Sequence, residues 1–472
     1  MKVVINPVTR VEGHGKVTIQ IDKSGRVTGA RFHVVEFRGF ERFVQGRLYW
    51  EVPVMVQRLC GICPISHLLT AAKAMDMVVG AERLTPTAEK MRRLMHYGQI
   101  FQSHALHFFY LAAPDLLLGF ESEPALRNVV GLALADPGLA RKAILMRKFG
   151  QEVIAATAGK KIHGTGAVPG GVNKNLSPAE RDALLPRAEE MVGWAQEALE
   201  LFKGLFRKNE EYFRSFAGFE SSFLSLVRPD GALDLYDGLL RAKDADGKII
   251  FDKVAPKDYL DVIREEVRPW SYMKFPFIRS LGPEKGWYRV GPLARMNTCD
   301  FIDTPLAEKE RVELLALGQG RPVHATLAYH WARLIECLHA AEKIRDLLPD
   351  PDLQGVDLIT TGTRRAEGAA CLEAPRGTLF HHYRVRPDDT VEMANLIVST
   401  TSNNEAMNKA VEATARAELS GRTITEGLLN KVEAALRAFD PCLSCATHAL
   451  GEMALAVELV DGEGRLIHAR CR

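Results

Sequence analysis

Four of the eight cysteines form two C-x-x-C pairs, one near each end of the 472-residue chain. The first pair is Cys60 and Cys63, and the second is Cys442 and Cys445. Thiolates bind soft metal ions, and one pair places two sulfurs close enough to share an ion. A single pair would also fit a redox dithiol, half of a zinc site or a structural use. Two pairs favour a metal site over a redox dithiol or coincidence, and distant parts of a large fold must then meet at the ion.

The segments between the pairs predict a helix-rich α+β fold with a long central helical bundle and an N-terminal β element. Alternating apolar residues from Val17, followed by a glycine turn, predict a hairpin over 16–36. Thr85-Pro86 predicts a helix that runs to about Phe109, and the capping box at Ser177 predicts one toward Phe206. Further helices are predicted from Pro305 and Pro322, over 404–417 and over 426–439, loop-rich regions over 159–175 and 228–301, and a hairpin from 454–460 and 465–468.

Composition excludes several classes of protein. The 61 Lys and Arg residues nearly balance the 59 Asp and Glu residues, so the charge gives no reason to expect nucleic acid or an anionic membrane as a partner. No apolar run is long enough to predict a membrane span, and the N-terminus lacks the apolar stretch of a secretory signal. Eight cysteines in a chain of this length fit a reduced compartment. A cytoplasmic location is therefore expected.

Distinctive residues flank both cysteine pairs and recur elsewhere. These motifs are PVTRVEGH at 7–14, EFRGFE at 36–41, RLCGICPISH at 58–67, EAPRG at 373–377 and DPCLSCATH at 440–448. Together, in this order, they resemble the large, catalytic subunit of a nickel–iron hydrogenase over the whole chain. The resemblance implies that family's large-subunit fold and a Ni–Fe(CN)2CO centre.

The resemblance assigns different ligand roles to the four cysteines. Cys60 and Cys442 would be terminal nickel ligands, whereas Cys63 and Cys445 would bridge nickel to an iron that carries carbon monoxide and cyanide. For three of the four cysteines outside the pairs, we expect buried apolar packing. These are Cys299, Cys337 and Cys371.

Three charged residues acquire catalytic roles from the resemblance. Glu12 would contact a terminal cysteine and carry protons, although composition alone suggests a surface carboxylate. Arg376 would overhang the metals and donate to a cyanide, rather than being an ordinary surface arginine. Asp440 would orient Arg376, rather than only ending a helix before proline. The proton from hydrogen would be taken by Cys442 or Arg376.

Four further residues would surround the metals. His67 would be a donor near the cysteine sulfurs rather than a satisfied core histidine. Thr400 would donate to the other cyanide, although threonines in such a run are commonly just β-prone. Leu379 would line the carbon monoxide pocket, and Pro375 of the A-P-R-G motif would belong to the same cofactor-binding set.

The resemblance also implies a hard-cation site. Glu41 and His448 would be side-chain ligands of magnesium or a similar divalent ion, with the Leu396 carbonyl as a third ligand. One position departs from the family pattern, because Ser103 stands where many members have Asp before an H-x-x-H-F segment. Serine can form a hydrogen bond but supplies no negative charge.

We therefore predict a catalytic subunit for reversible, heterolytic oxidation of H2. The chain has no cluster-binding cysteine run and no supported dinucleotide or flavin site, so an iron–sulfur small subunit is implied as the partner that removes electrons. The stretch 45–50 and the tail resemble soluble, cytoplasmic NAD-linked enzymes, with NAD(P)-reducing diaphorase subunits as further expected partners. The alternative is delivery of electrons to a heterodisulfide reductase or another carrier.

Two alternatives belong to other classes. One is a non-enzymatic relative from proton-pumping respiratory complexes, but those subunits lost the cysteines. The other is a zinc-stabilised structural protein.

The tail has two interpretations. By resemblance, residues 1–448 form the mature large subunit, whereas residues 449–472 are a propeptide that a maturation endopeptidase removes after nickel chaperones load the site. Without the resemblance, the tail would be an ordinary C-terminal hairpin.

Overall fold

A computed structural model describes residues 1–447, 456–462 and 465–471, and it contains the predicted N-terminal hairpin. Strands β1 (Lys2–Ile5), β2 (Gly15–Ile21) and β3 (Val27–Val34) form an antiparallel sheet in that order. Val17 and Ile19 on β2 are buried, whereas Thr18 between them is partly exposed. The alternation that predicted the hairpin is therefore the alternation of a sheet with one buried face.

The remaining strands form small separate sheets. Three of these sheets have two strands each, namely β4-β5, β9-β10 and β15-β16. One sheet has four strands in the order β11-β6-β7-β8, and one has three in the order β12-β13-β14. The bounds are β4 Ala167–Val168, β5 Gly171–Val172, β6 Ser222–Val227, β7 Leu239–Lys243, β8 Ile249–Val254, β9 Ile263–Glu266, β10 Phe275–Ile278, β11 Tyr288–Arg289, β12 Glu367–Ala374, β13 Gly377–Val385, β14 Val391–Ile397, β15 Ala456–Val460 and β16 Leu466–Cys471.

Helices make up most of the regular structure. Their bounds are α1 Phe40–Phe43, α2 Val52–Val56, α3 Pro64–Val78, α4 Pro86–Leu106, α5 Ala113–Leu118, α6 Val129–Ala135, α7 Pro137–Ala158, α8 Pro178–Lys208, α9 Glu210–Ser215, α10 Tyr259–Val262, α11 Gly282–Lys285, α12 Pro292–Thr298, α13 Pro305–Ala316, α14 Ala328–Leu347, α15 Ser399–Ser402, α16 Asn404–Leu419, α17 Glu426–Ala438 and α18 Leu443–Ala446. A π-helical turn, His107–Ala112, continues α4. The α+β prediction is confirmed.

A bundle of long helices forms the centre, as predicted. α4 packs against α7 and α14, and α8 packs against α7 and α14. Thr85 caps α4 and Ser177 closes a capping box on α8, so the sequence signals begin both helices where expected. Two predictions are wrong. The region 228–301, expected to be loop-rich, contains strands β7 to β11 and helices α10 to α12. The helix expected from Pro322 begins at Ala328. Val323 exchanges hydrogen bonds with the Asn297 side chain instead, which ties this segment to α12.

The cysteine pairs lie where a second buried cluster meets the bundle. This cluster joins α2 and α3 to the β12-β13-β14 sheet. None of the helices in the described part of the chain combines the length and apolar character that a bilayer crossing requires. The predicted C-terminal hairpin is present as β15 and β16, within the described residues of the tail.

Candidate metal centre

The four paired cysteines meet at one buried point. The sulfurs of Cys60, Cys63, Cys442 and Cys445 all lie within 4.8 Å of one another. The Sγ atoms of Cys60 and Cys442 are 3.3 Å apart, and those of Cys63 and Cys445 are 3.8 Å apart. All four side chains are buried and none forms a disulfide. Four convergent thiols are a ligand set for a soft transition metal.

Backbone geometry aims the first pair. Cys60 follows a short 3-10 turn in extended conformation, and Cys63 is the N-cap of α3 with Pro64 at the first helical position. The amides of Ile62 and Cys63 both donate to Cys60 Sγ at 3.2 Å. Two amides directed at one sulfur stabilise its thiolate form.

The second pair follows the last long helix. α17 ends at Ala438, and Asp440 adopts a positive φ of 53°, which turns the chain toward Cys442. The Cys442 amide donates to Thr400 Oγ1 at 3.0 Å, and Cys445 lies in the short helix α18. The hydrogen bond to Thr400, which follows strand β14, therefore helps to hold the second cysteine pair beside the first.

The surroundings shift the pKa of three of the paired thiols. Burial opposes ionisation of Cys60, but the contacts with the other sulfurs and the charge of Arg376 outweigh burial and hold the pKa of Cys60 well below its usual value. Burial raises the pKa of Cys442 and Cys445 well above theirs. Cys60 is therefore more readily ionised than Cys442 and Cys445. Metal binds cysteine as thiolate, so loading the site releases the protons of its thiols.

Glu12 contacts the second pair directly. The Cys442 thiol donates to Glu12 Oε2 at 2.9 Å, and the Ser444 amide donates to the same oxygen at 3.1 Å. Glu12 and Cys442 also form a parallel β-bridge. Glu12 is half-buried, so this residue contacts both the buried sulfur and solvent.

A glycine permits this close approach. Gly13 has a φ of +84°, and a Cβ there would lie 2.8 Å from both Leu443 Cβ and the Ser444 amide nitrogen. Only glycine fits a backbone in this conformation at this distance.

Arg376 and Asp440 are buried beside the sulfurs, so the surface interpretation of Arg376 is wrong. Pro375 and Arg376 form the two-residue turn of the β12–β13 hairpin. Arg376 Nε donates to the Asp440 carbonyl at 2.6 Å, and Nη2 donates to Asp440 Oδ1 at 3.1 Å. Burial disfavours the arginine's charge, but Asp440 and the neighbouring sulfurs outweigh burial and raise the pKa of Arg376.

A small cavity of about 10 Å³, room for roughly one water molecule, lies between the sulfurs and Arg376. Among the sequence-predicted residues, its walls contain Cys63, Cys442, Cys445, His67, Pro375, Arg376, Leu379 and Thr400. Arg376 Nη1 is buried and donates to no acceptor in the described part of the chain. An unsatisfied buried donor facing a cavity beside four sulfurs fits a metal centre that carries acceptor ligands such as cyanide.

Thr400 lies on helix α15 just beyond strand β14, so the β-prone interpretation of this threonine is wrong. His67 lies on α3, and its Nδ1 contacts His381 Nε2 at 3.2 Å. His381 Nδ1 in turn contacts the Tyr383 hydroxyl at 2.6 Å.

Glu41 is buried rather than exposed, and its Oε1 accepts the Leu396 amide at 2.7 Å. Burial raises the pKa of Glu41 to about 7. The amides of Arg38 and Gly39, just before Glu41, donate to the Thr447 carbonyl. His448, the other predicted side-chain ligand of the hard cation, lies outside the described residues.

Three further cysteines pack as expected. Cys299, Cys337 and Cys371 are buried, and burial raises the pKa of each thiol, that of Cys299 to about 12. Ser103 is fully buried on α4, and its Oγ has no partner among the described residues.

Sequence reasoning missed three neighbours of the site. Ser399 lines the cavity and donates to the Gly377 carbonyl at 2.7 Å. His381 contacts His67 and lies two residues after Leu379 on β13, so both side chains are on the same face of the strand. His163 lies 3.1 Å from the Cys60 carbonyl, in a segment that showed no regular pattern.

Comparison with known proteins assigns the family. Residues 2–37 match a HoxL-like profile, and residues 38–118 and 244–448 match the family described as nickel-dependent hydrogenase. The NAD-reducing hydrogenase HoxS subunit beta of Cupriavidus necator is 49% identical, with 100% of this chain and 99% of the relative covered. An F420-non-reducing hydrogenase subunit of Methanothermobacter thermautotrophicus is 41% identical, with 99% of each chain covered.

Solved structures agree in fold. A crystal structure of an NAD+-reducing NiFe hydrogenase in the H2-reduced state matches with a TM-score of 0.94 and 59% identity, over 95% of this chain and 99% of that chain. The NiFeSe hydrogenase of Desulfomicrobium baculatum, at 24% identity, shares the fold with a TM-score of 0.75, over 95% of this chain and 100% of its own. Identity of 41–49% along the entire sequence shows that the chain belongs to the nickel-dependent hydrogenase family, of which it is a catalytic subunit.

Proposed function

We propose that this protein oxidises H2 reversibly at a nickel–iron centre and passes electrons through an iron–sulfur small subunit to NAD(P). The observation that carries the proposal is the convergence of four buried sulfurs with an unsatisfied arginine donor at one small cavity. When bound, the centre supplies the metals that polarise H2 and accept its electrons. Cys60 and Cys442 would be terminal nickel ligands, and Cys63 and Cys445 would bridge to iron.

The protein's own groups manage the proton. Cys442 Sγ and the Arg376 guanidinium both line the cavity. Cys442 would be the first acceptor, because the raised pKa of Arg376 keeps its guanidinium protonated and therefore a donor. Glu12 Oε2 lies 2.9 Å from Cys442 Sγ, which is within direct proton-transfer distance. Because Glu12 is half-buried, it would carry the proton from the sulfur toward solvent.

Arg376 would act by orientation and charge. Asp440 holds Arg376 through two hydrogen bonds, and this leaves Nη1 free to donate to a cyanide on iron. Thr400 would donate to the other cyanide, Leu379 would line the carbon monoxide pocket, and Pro375 would belong to the same cofactor-binding set. His67, tied to His381, would orient the environment of the sulfurs.

The proposed acceptor is NAD(P). Support comes from the relatives, since those named NAD-reducing match at 49% and 59% identity and the one named F420-non-reducing matches at 41%. Diaphorase subunits that reduce NAD(P) are the proposed further partners, in the cytoplasm. Delivery to a heterodisulfide reductase or another carrier is the alternative.

Magnesium or a similar divalent ion is proposed at Glu41, with the Leu396 carbonyl and His448 as further ligands. Support comes from the buried Glu41 carboxylate, which accepts a hydrogen bond from the Leu396 amide. Glu41 also lies close in sequence to amides that donate to the Thr447 carbonyl. Oxygen ligands suit a hard cation.

Residues 449–472 are proposed as a propeptide, removed by a maturation endopeptidase after nickel chaperones load the site. The family match ends at residue 448, and the solved relatives cover 95% of this chain while almost their entire own length is covered. Cleavage after His448 would let the new terminus close the site and join the hard-cation ligands.

Acceptor assays test the function. The chain, co-produced with its small subunit, diaphorase subunits and maturation proteins, should reduce NAD+ or NADP+ under H2 in the absence of added carriers. H2-dependent reduction of viologen dyes without reduction of either nucleotide would keep the hydrogenase assignment and overturn the acceptor.

A further inference from the structure

A second buried arginine lies behind the turn that carries Arg376. Arg295 on α12 is fully buried, and its Nη1 donates to the Ala374 carbonyl at 2.9 Å. Nη2 makes a longer contact of 3.3 Å with the Pro375 carbonyl. One guanidinium therefore binds both backbone carbonyls that immediately precede Arg376.

Two carboxylates fix this guanidinium. Glu336 on α14 accepts from Nε at 2.5 Å and from Nη2 at 2.6 Å, and Glu373 accepts from Nη1 at 2.6 Å. His104 contacts Glu336 at 2.9 Å, and Thr378 donates to the second oxygen of Glu373. All of these side chains are fully buried, so the cluster has little freedom to rearrange.

The backbone before α12 also contacts the turn. Gly291 has a φ of +95°, and a Cβ there would lie 2.8 Å from the Arg376 carbonyl oxygen. The N-cap of α12 thus fits against residue 376 itself, four residues before Arg295, which presents the guanidinium. The contact is one that only glycine permits.

We propose that Arg295 is a positioning residue for Arg376, a proposal that rests on the proposed role of Arg376. Asp440 fixes the guanidinium end of Arg376, and Arg295 fixes its backbone end through the two carbonyls. A planar fork can bind two carbonyls and two carboxylates at once, whereas a lysine ammonium cannot reproduce that pattern. Loss of the fork should let the turn move and take Arg376 Nη1 away from its acceptor.

The test compares Arg295→Lys with Arg289→Lys in fully matured holoenzyme. Arg289 is an equally buried arginine that donates to the carbonyls of Phe219 and His324 and touches neither the turn nor the cavity. The readouts are nickel and iron content, the infrared cyanide bands, kcat, and the thermal midpoint. Arg295→Lys should keep both metals, move the cyanide bands and lower kcat on the order of 10²-fold. Arg289→Lys should lose stability but keep wild-type bands.

A double variant tests whether Arg295 acts through Arg376. Arg295→Lys combined with Arg376→Lys should give the same bands and kcat as Arg376→Lys alone, because the second substitution removes what the first displaces. Independent, additive losses would overturn the proposal, as would wild-type bands and kcat in metal-loaded Arg295→Lys. If Arg295→Lys does not fold, Glu336→Gln takes its place and should also move the cyanide bands. Unchanged cyanide bands in Glu336→Gln would overturn the proposal.

The outcomes separate the two claims. If Arg376→Lys changes neither the bands nor kcat, the proposed role of Arg376 fails. If Arg376→Lys changes both and Arg295→Lys changes neither, only the positioning role fails.

Discussion

Cys442 and Arg376, which both line the cavity, are each paired with one carboxylate. Cys442 contacts Glu12, and Arg376 contacts Asp440. The two carboxylates differ in exposure, since Asp440 is buried and Glu12 is half-buried. This asymmetry favours Glu12 as the group that exchanges protons with solvent and Asp440 as the group that orients.

Replacement of a bridging sulfur tests the ligand assignment. Cys445→Ser should abolish hydrogen turnover and prevent a stable dinuclear centre, because an alcohol is a poor bridge between soft metals. Nickel and iron content and hydrogen oxidation measure the effect. Cys371→Ser is the matched control, since Cys371 is buried outside the cavity and its loss should leave both metals bound. Wild-type metal content and turnover in Cys445→Ser would remove the bridging assignment.

Arg376→Lys keeps a positive charge but loses the planar fork that binds Asp440. We expect hydrogen oxidation to fall on the order of 10²–10³-fold or more, as for loss of a preorganised donor, with both metals still bound. Activity is measured as turnover per bound nickel. Turnover close to wild type would return Arg376 to a packing role.

Residue spacing alone located the four cysteines, because C-x-x-C is a local pattern. It could not locate Glu12, Arg376 or Asp440, whose significance lies in contacts between segments far apart in sequence. Those residues were predicted only through the motif resemblance, and their placement beside the sulfurs is a result of the fold.

At the scale of elements, the sequence predicted amphipathic pieces and missed fully buried ones. α4 and α8 carry capping signals and one apolar face, and both were predicted close to their observed bounds. β12 and β13 are buried on both faces over almost their whole length, so they lack the alternation that marks a strand. The hairpin that carries Arg376 was therefore invisible to periodicity.

Gly13→Ala tests the close approach between the N-terminal segment and the second cysteine pair. The added Cβ would overlap Leu443, so the free energy of unfolding should fall by about 1–3 kcal/mol more than in the control. The control is Gly25→Ala, since Gly25 has a similar φ of +79° but its nearest neighbour lies 3.8 Å from the added Cβ. Chemical denaturation measures both variants. Equal losses would show that the contact at Gly13 is loose.

At the scale of the whole molecule, the metal centre joins segments from distant parts of the chain. Glu12 and the first cysteine pair come from the N-terminal region, Arg376 comes from the β12–β13 hairpin, and the second pair follows the last long helix. Metal loading must therefore precede or accompany closure of these segments, and a C-terminal extension that is removed late would suit that order.

The mature C-terminus tests the propeptide. Active enzyme should end at His448, whereas protein produced without nickel should retain residues 449–472. Intact-mass measurement of the two preparations distinguishes these forms. Active enzyme that still ends at Arg472 would contradict the proposal, and the tail would then be an ordinary hairpin.

Metal and infrared analysis of one matured sample tests the central claim most directly. The account predicts nickel and iron in equal amounts per chain, together with infrared bands from two cyanides and one carbon monoxide. Cys60→Ser, made in the same way, should lose the nickel. Zinc as the sole bound metal, or iron without nickel in an active sample, would contradict the assignment of the four cysteines to a nickel–iron centre.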